Sequence, residues 1–231
     1  MFERPHHRRI AAILEALDAD VLLANNCLFG GGTAMALRYG EYRESVDIDF
    51  LVSDIDGYRS LRQRLTGAAG MRAITRPSYT LIQAREVRAD QYGIRTMLQV
   101  EGADIKFEIV LEARIDLEEP GPDDRQCAVA TLTPLDMATS KLLANSDRWR
   151  DDAVMSRDLI DLAMMAPPKK LLRRALDKAR AAYGDNVVAD LAKAIENLRE
   201  RPHRLDHCMK ARAMTTVSKA ALWSRIRALV P

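Results

Sequence analysis

Gly30-Gly31-Gly32-Thr33-Ala34-Met35-Ala36-Leu37, followed after a short gap by Arg43-Glu44-Ser45-Val46-Asp47-Ile48-Asp49-Phe50, is the stretch on which the reading of this chain turns. Val46 to Val52 alternates and is rich in β-formers, which predicts a strand. Residues i and i+2 of a strand point to the same side, so Asp47 and Asp49 place two carboxylates together on one face. Two like charges that close repel unless a cation or a proton intervenes. Hard cations such as Mg²⁺ bind carboxylate oxygens and commonly share their shell with substrate phosphates. The glycines precede a run of good helix formers that Gly40 ends. A glycine-rich turn at a helix N-terminus brings backbone N–H groups close to phosphate oxygens. A lone Gly-Gly-Gly is usually a turn, and a lone Asp-x-Asp is usually a solvated strand edge. Their succession, phosphate cradle then metal shelf, is far more specific, because phosphoryl or nucleotidyl transfer needs both.

Outward from this stretch, His6 to Ala24 carries Ile10, Ile13, Leu14 and Leu17 at helical spacing and reads as one amphipathic helix. Asp54 to Leu65 is helical in character. From Thr80 to Leu111 the pattern is mostly β, with Gly93–Val100 and Asp104–Leu111 flanking Glu101-Gly102-Ala103 as a hairpin. The acidic segment Arg114 to Gln126, with Pro120-Gly121-Pro122, reads as a loop or domain edge. Thr133-Pro134-Leu135-Asp136 is a helix start: Thr as N-cap, Pro in first position, Asp136 as a short relative of the capping box. Helices follow, punctuated by Pro167-Pro168 and Pro202. The expectation is an α+β domain over residues 1–130 and a helical domain over 131–231.

Hydrophobic residues at 48% and charged residues at 29% mark an ordinary globular balance, which excludes a disordered or fibrous chain. No apolar run approaches the ~20 residues of a membrane helix, and the charged N-terminus has no apolar segment of a secretory signal behind it. The three cysteines, Cys27, Cys127 and Cys208, are far apart and imply no disulfide framework, so a reducing cytoplasm is the expected home. The net charge of +2 hides an asymmetry: Leu162 to Pro231 holds 15 Lys/Arg against 6 Asp/Glu, a net of +9, and the remainder carries −7. A basic face favours polyanions such as nucleic acid, although a solvated helical surface gives the same count. His203-x-x-x-His207-Cys208 has the helical spacing of a metal pair, but no further Cys or His pair completes it and His6-His7 is distant in sequence. Trp149 and Trp223 read as packing residues.

The quoted stretch resembles the nucleotidyltransferase superfamily signature, Gly-Gly/Ser followed by Asp-x-Asp. More closely, Gly31-Gly32-Thr33-Ala34-Met35-Ala36-Leu37 and Arg43-x-Ser45-x-Asp47-Ile48-Asp49-Phe50 resemble the AbiEii/AbiGii toxin family. That resemblance implies a polymerase-β-like fold, a small mixed sheet flanked by helices, followed by a C-terminal helical bundle. It implies that Asp47 and Asp49 hold Mg²⁺ or Mn²⁺, with a third metal carboxylate from a later strand: Glu108 in Lys106-Phe107-Glu108-Ile109-Val110, or Asp104 in its place. It implies nucleotide contacts from Gly31, Gly32, Thr33, Arg43 and Ser45. Downstream the family carries a Lys, an Arg and an Arg-Asp-x-x-Asp-Leu element, matched here by Lys141, Arg148 and Arg157-Asp158-Leu159-Ile160-Asp161-Leu162. Lys141 and Arg148 are seven residues apart, two turns on one helix face, and Asp158 and Asp161 are an i, i+3 pair. The resemblance assigns Lys141 to the nucleotide's phosphates, and Asp158 or Asp161 to positioning Lys, Arg or the acceptor. An ion-pair network between helices is the alternative.

The activity so implied is a metal-dependent transfer of a nucleoside monophosphate from an NTP to an acceptor. The expected acceptor is RNA, tRNA in particular, in a toxin–antitoxin or phage-defence setting, with a possible antitoxin as protein partner. A small-molecule nucleotidyltransferase of the antibiotic-modifying kind shares the metal shelf but lacks salt-dependent RNA binding. A catalytically inactive relative that binds RNA or protein is the third reading, and the intact Asp47/Asp49 pair argues against it.

Overall fold

The structure is a computed structural model that describes residues 2–230; Met1 and Pro231, the outer ends of the two expected domains, lie outside the described residues. The chain divides into two units: residues 1–38 with 45–133, and residues 39–44 with 134–231. The short segment Tyr39–Glu44 thus leaves the first unit in mid-signature and clusters with the helices of the second.

The first unit begins with helices α1 (Pro5–Ala16) and α2 (Ala19–Ala24), then β1 (Leu28–Gly30), α3 (Gly31–Arg38), β2 (Ile48–Val52) and α4 (Ile55–Thr66). Strands β3 (Ile82–Ala89), β4 (Gly93–Val100) and β5 (Ala103–Leu111) complete a five-stranded sheet of order β1-β2-β5-β4-β3. β2 and β5 run parallel and the other neighbours antiparallel, so the sheet is mixed. A small ribbon, β6 (Arg125–Gln126) and β7 (Val129–Ala130), follows. The expected α+β class with a small mixed sheet is what the chain adopts.

Strand alternation sorts this sheet into an apolar and a polar face. Ile48, Phe50 and Val52, Ile105, Phe107 and Ile109, and Ile94 and Leu98 are buried on one side. There the rings of Phe29, Phe50 and Phe107 pack in succession, each tilted on the next, with centroids 5.5 and 5.6 Å apart. Asp49, Lys106, Glu108 and Arg95 occupy the alternate positions on the other side. Ile10, Ile13, Leu14 and Leu17 fill the core from the N-terminal helices, as their spacing predicts.

Three expectations need correction. The single helix over His6–Ala24 is broken after Ala16: Leu17 is extended and bridges Thr75, and Asp18 restarts the helix by accepting from the Val21 N–H. Asp18 prefers this capping role to a mid-helix position, where its side chain competes with the backbone. The strand expected from Val46 begins at Ile48, so Asp47 lies just before the ladder rather than in it. The acidic Arg114–Gln126 segment ends in β6 rather than being loop throughout. The hairpin over Gly93–Leu111 is as expected, with Val100 opposite Ala103 across a two-residue turn. Glu101 and Gly102 both have positive φ there (51° and 78°), the geometry that matches the twist of a hairpin.

The second unit is helical: α5 (Pro134–Arg148), α6 (Arg157–Met165), α7 (Lys169–Tyr183), α8 (Asn186–Glu200), α9 (Arg204–Ala211) and α10 (Lys219–Arg227). α5 packs on α6, α7 and α8. Pro134 opens α5 in the position its fixed φ suits. Asp136 in the first turn is fully buried and paired with Lys178 of α7, Nζ to Oδ1 2.5 Å.

Candidate active site

In the first unit, four residues form one row across the sheet: Gly30 opposite Asp49, Asp49 opposite Glu108, and Glu108 opposite Arg95. Cross-strand neighbours in register share a face, so Asp49, Glu108 and Arg95 point the same way. Asp47, two residues before Asp49, is half-exposed like it. Gly31 opens α3 at φ +68°, a conformation that L side chains rarely adopt. A Cβ on it would come within 2.5 Å of Asp49 Oδ2, so the glycine lets the backbone close on that carboxylate.

The loop that carries Asp47 is held from three directions. Thr33, buried in the first turn of α3, donates its hydroxyl to the Asp47 carbonyl and lies 2.8 Å from Ser45 Oγ. The Ser45 N–H donates to His7 Nε2 at 3.1 Å, and His6 Nε2 lies 3.0 Å from the Val46 carbonyl. His7 is fully buried, and accepting this bond requires its Nε2 to be unprotonated. Sequence reasoning gave His6 and His7 no such role. The signal was available: His7 precedes Ile10, Ile13, Leu14 and Leu17 on the apolar face of the helix. The expected nucleotide contacts Thr33 and Ser45 thus brace the loop, while Gly31 and Gly32 are half-exposed and Gly31 lies against Asp49.

Glu108 is engaged at both oxygens. Arg95 Nε donates to Oε1 and Lys106 Nζ to Oε2, each at 2.5 Å. Burial alone would raise the Glu108 pKa, but the hydrogen bonds from Lys106 and Arg95 outweigh it and hold the carboxyl below the usual range. Asp104, the stand-in, is exposed near the hairpin end and accepts from Gln99 at 3.2 Å. Among the described residues no three of His, Cys, Asp or Glu converge as a metal site. Asp47 and Asp49 are nonetheless half-exposed carboxylates of the kind a hard divalent cation takes, and the Gly31 backbone lies against Asp49.

In the second unit the remaining expected residues meet in a buried ion-pair cluster. Arg43 is 1% exposed and forks onto Asp161, Nε to Oδ1 2.6 Å and Nη2 to Oδ2 2.9 Å. Tyr42 donates its hydroxyl to Asp161 Oδ1 at 2.7 Å. Lys141 lies between Asp161 Oδ2 at 2.6 Å and Asp158 Oδ1 at 3.2 Å. Arg148 grips Asp158 with two bonds, 2.7 and 2.9 Å. Lys141 and Arg148 therefore do share a face of α5, and both face the Asp158/Asp161 pair of α6. Burial would raise both aspartates, but Arg43 and Lys141 hold Asp161, and Lys141 and Arg148 hold Asp158, below the ordinary carboxylate range. Burial and the neighbouring Asp161 push the Tyr42 hydroxyl up. The Glu44 N–H donates to the Arg212 carbonyl, a further tie on the Tyr39–Glu44 segment. His203, just before α9, and His207 on it are exposed while Cys208 of that helix is buried, and the Trp149 indole donates to Asp190 at 3.2 Å.

A family model for the nucleotidyl transferase AbiEii toxin of type IV toxin–antitoxin systems matches residues 12–227. The chain belongs to the AbiEii family. Two solved Helicobacter pylori proteins share its fold. One, described as a candidate nucleotidyltransferase, is 19% identical over 97% of this chain and 93% of its own, with a TM-score of 0.55. The other, JHP933, is 17% identical over 100% and 94%, with a TM-score of 0.54. No curated protein matches the chain. This AbiEii-family protein is a nucleotidyltransferase of the toxin–antitoxin kind. Among its described residues no helix is long and apolar enough to cross a membrane.

Proposed function

We propose that this nucleotidyltransferase moves a nucleoside monophosphate from an NTP to a hydroxyl of RNA, tRNA above all, using Asp47 and Asp49 as its divalent-metal carboxylates. The observation that carries the proposal is the half-exposed pair Asp47 and Asp49, with positive-φ Gly31 closed against the Asp49 carboxylate. In the reaction the acceptor hydroxyl oxygen bonds to the α-phosphorus, the bond from that phosphorus to the β-bridging oxygen breaks, and pyrophosphate leaves with the electron pair. The hydroxyl's proton passes to solvent or to a carboxylate of this face. Bound Mg²⁺ or Mn²⁺ would supply charge neutralisation for the phosphates and acidify the attacking hydroxyl.

Gly31 and Gly32 offer the backbone on which a triphosphate rests, beside the positive end of α3. Thr33, Ser45, His6 and His7 position the Asp47 loop. Arg43, Lys141, Asp158 and Asp161 act as positioning residues, fixing the Tyr39–Glu44 segment that runs in sequence straight into Ser45 and Asp47. Arg148, with 37% of its side chain exposed, keeps donor capacity for an anion. The basic stretch after Leu162 supports a polyanionic acceptor. The type IV assignment implies an antitoxin as the partner that counters the activity.

The test is incubation with Mg²⁺, each of the four α-³²P-labelled NTPs and total bacterial RNA, beside an Asp47→Asn/Asp49→Asn control. Label is expected on RNA with the intact carboxylates only. Labelling of a small hydroxylated compound in place of RNA would move the acceptor to that class, and no labelled product from any NTP would contradict the proposal.

A further inference from the structure

On the polar face of the sheet, Lys106 is the cation held among the carboxylates of the proposed site. Its Nζ donates to Glu108 Oε2 at 2.5 Å, and it is two residues along β5 from the position opposite Asp49. Asp49 and Asp47 both act on it electrostatically, and with Glu108 they hold its ammonium protonated against the opposing effect of burial. The side chain is still 43% exposed. Arg95, 40% exposed, takes the second oxygen of Glu108 and is itself tied to Asp90 at 2.9 Å. A third carboxylate in register with Asp49 is thereby turned to side-chain cations.

We propose that Lys106 is an internal counter-ion that divalent metal displaces, and that the displaced ammonium then binds the polyphosphate of the incoming nucleotide. The inference rests on the assignment of Asp47 and Asp49 as metal carboxylates and deepens it. An ammonium is a compact point charge on a flexible stem, suited to exchange one anionic partner for another. A divalent cation at Asp47 and Asp49 carries twice its charge, cancels the attraction of those two carboxylates for the ammonium and repels it. Once Lys106 leaves Glu108, its half-exposed ammonium can meet the polyphosphate that the metal brings with it. Arg95 stays fixed by Asp90 and keeps Glu108 oriented. Lys106 thus couples metal entry to nucleotide capture, a role that nothing in the Asp-x-Asp pattern announces.

The experiment uses the full chain and its Lys106→Met and Lys106→Arg variants, with Mn²⁺ alone and then inorganic tripolyphosphate at saturating Mn²⁺ as probes. Free Mn²⁺ is read by its paramagnetic resonance signal and tripolyphosphate by calorimetry. Lys106→Met is expected to tighten Mn²⁺ binding by about fivefold, the scale of an exposed ion pair, and to weaken tripolyphosphate binding by a similar factor. Lys106→Arg is expected to keep the parent's Mn²⁺ affinity to within about twofold. Opposite movement of the two affinities is the signature, since a merely structural lysine would shift both the same way. Unchanged or weaker Mn²⁺ binding in Lys106→Met, with the parent binding normally, overturns this inference alone. Absence of Mn²⁺ binding in the parent overturns the proposed site and the inference together.

Discussion

Gly31 shows how much one residue can be asked to do. Its φ of +68° and its approach to Asp49 both exclude a side chain. Gly31→Ala is expected to lose about 1–2 kcal/mol of stability from the backbone conformation alone. It should also weaken Mn²⁺ binding, because the added methyl has to push the Asp49 carboxylate aside. Denaturant melts and metal titration of the same sample check both. His7 gives a sharper contrast. His7→Leu leaves the Ser45 N–H without its acceptor and lets the Asp47 loop move, which is expected to lower kcat by about tenfold to a hundredfold. His7→Gln, whose amide oxygen can accept the same bond, is expected to recover most of that loss. Equal kcat in the two variants would deny His7 its positioning role. At this scale the pattern that singles out Asp47, Asp49 and the glycines is local and visible in the sequence, although Asp47 lies just before the strand that the pattern suggests. His6, Arg95 and Tyr42 were not, because their roles depend on partners 40, 13 and 119 residues away.

At the scale of elements, α5 and α6 are joined by a charge cluster that is almost wholly buried. Asp161 has no exposed surface, and removing one partner of such a pair leaves the others as uncompensated charges. Asp161→Asn is expected to cost about 3–5 kcal/mol at pH 7, measured by urea unfolding. The depressed carboxyl pKa fixes the pH dependence. The stabilisation from the ionised form is fully present above the unfolded aspartate's pKa near 4. It falls away as the pH drops through the folded value, which lies below the ordinary range. The gap between parent and Asp161→Asn should therefore be constant from neutral pH to about 5 and shrink under stronger acid. A gap that grew on acidification would have the wrong sign for this cluster. The elements themselves were largely legible. The hairpin over Gly93–Leu111 follows from alternation around Glu101-Gly102, and α5 from its Pro134 start. The break after Ala16 was missed because the helical apolar spacing continues through Leu17 while Asp18 acts as a cap. β6 was missed because a two-residue strand is too short to show a period.

On the scale of the whole chain, an acidic first part and a basic last third divide the charge, −7 against +9. Lys/Arg contacts to phosphates release counterions, so RNA affinity should fall steeply between about 50 and 200 mM salt, while binding of an uncharged acceptor would hardly move. Filter binding of total tRNA across that range reads the difference. The division of the chain shows something else that the sequence did not. Tyr39–Glu44, in the middle of the signature, groups with the helices. No local pattern reveals this, since the partner of Arg43, Asp161, lies 118 residues away. In the proposed reaction Asp47 and Asp49 drive nucleotidyl transfer with the aid of a divalent cation. The most direct measurement is pyrophosphate release from NTP with total RNA present, with and without Mg²⁺, for the parent chain and the Asp47→Asn and Asp49→Asn variants. Mg²⁺-dependent pyrophosphate is expected from the parent, with a loss of at least about 10³-fold in each variant. Pyrophosphate released equally by parent and variants, or orthophosphate released in its place, would contradict it.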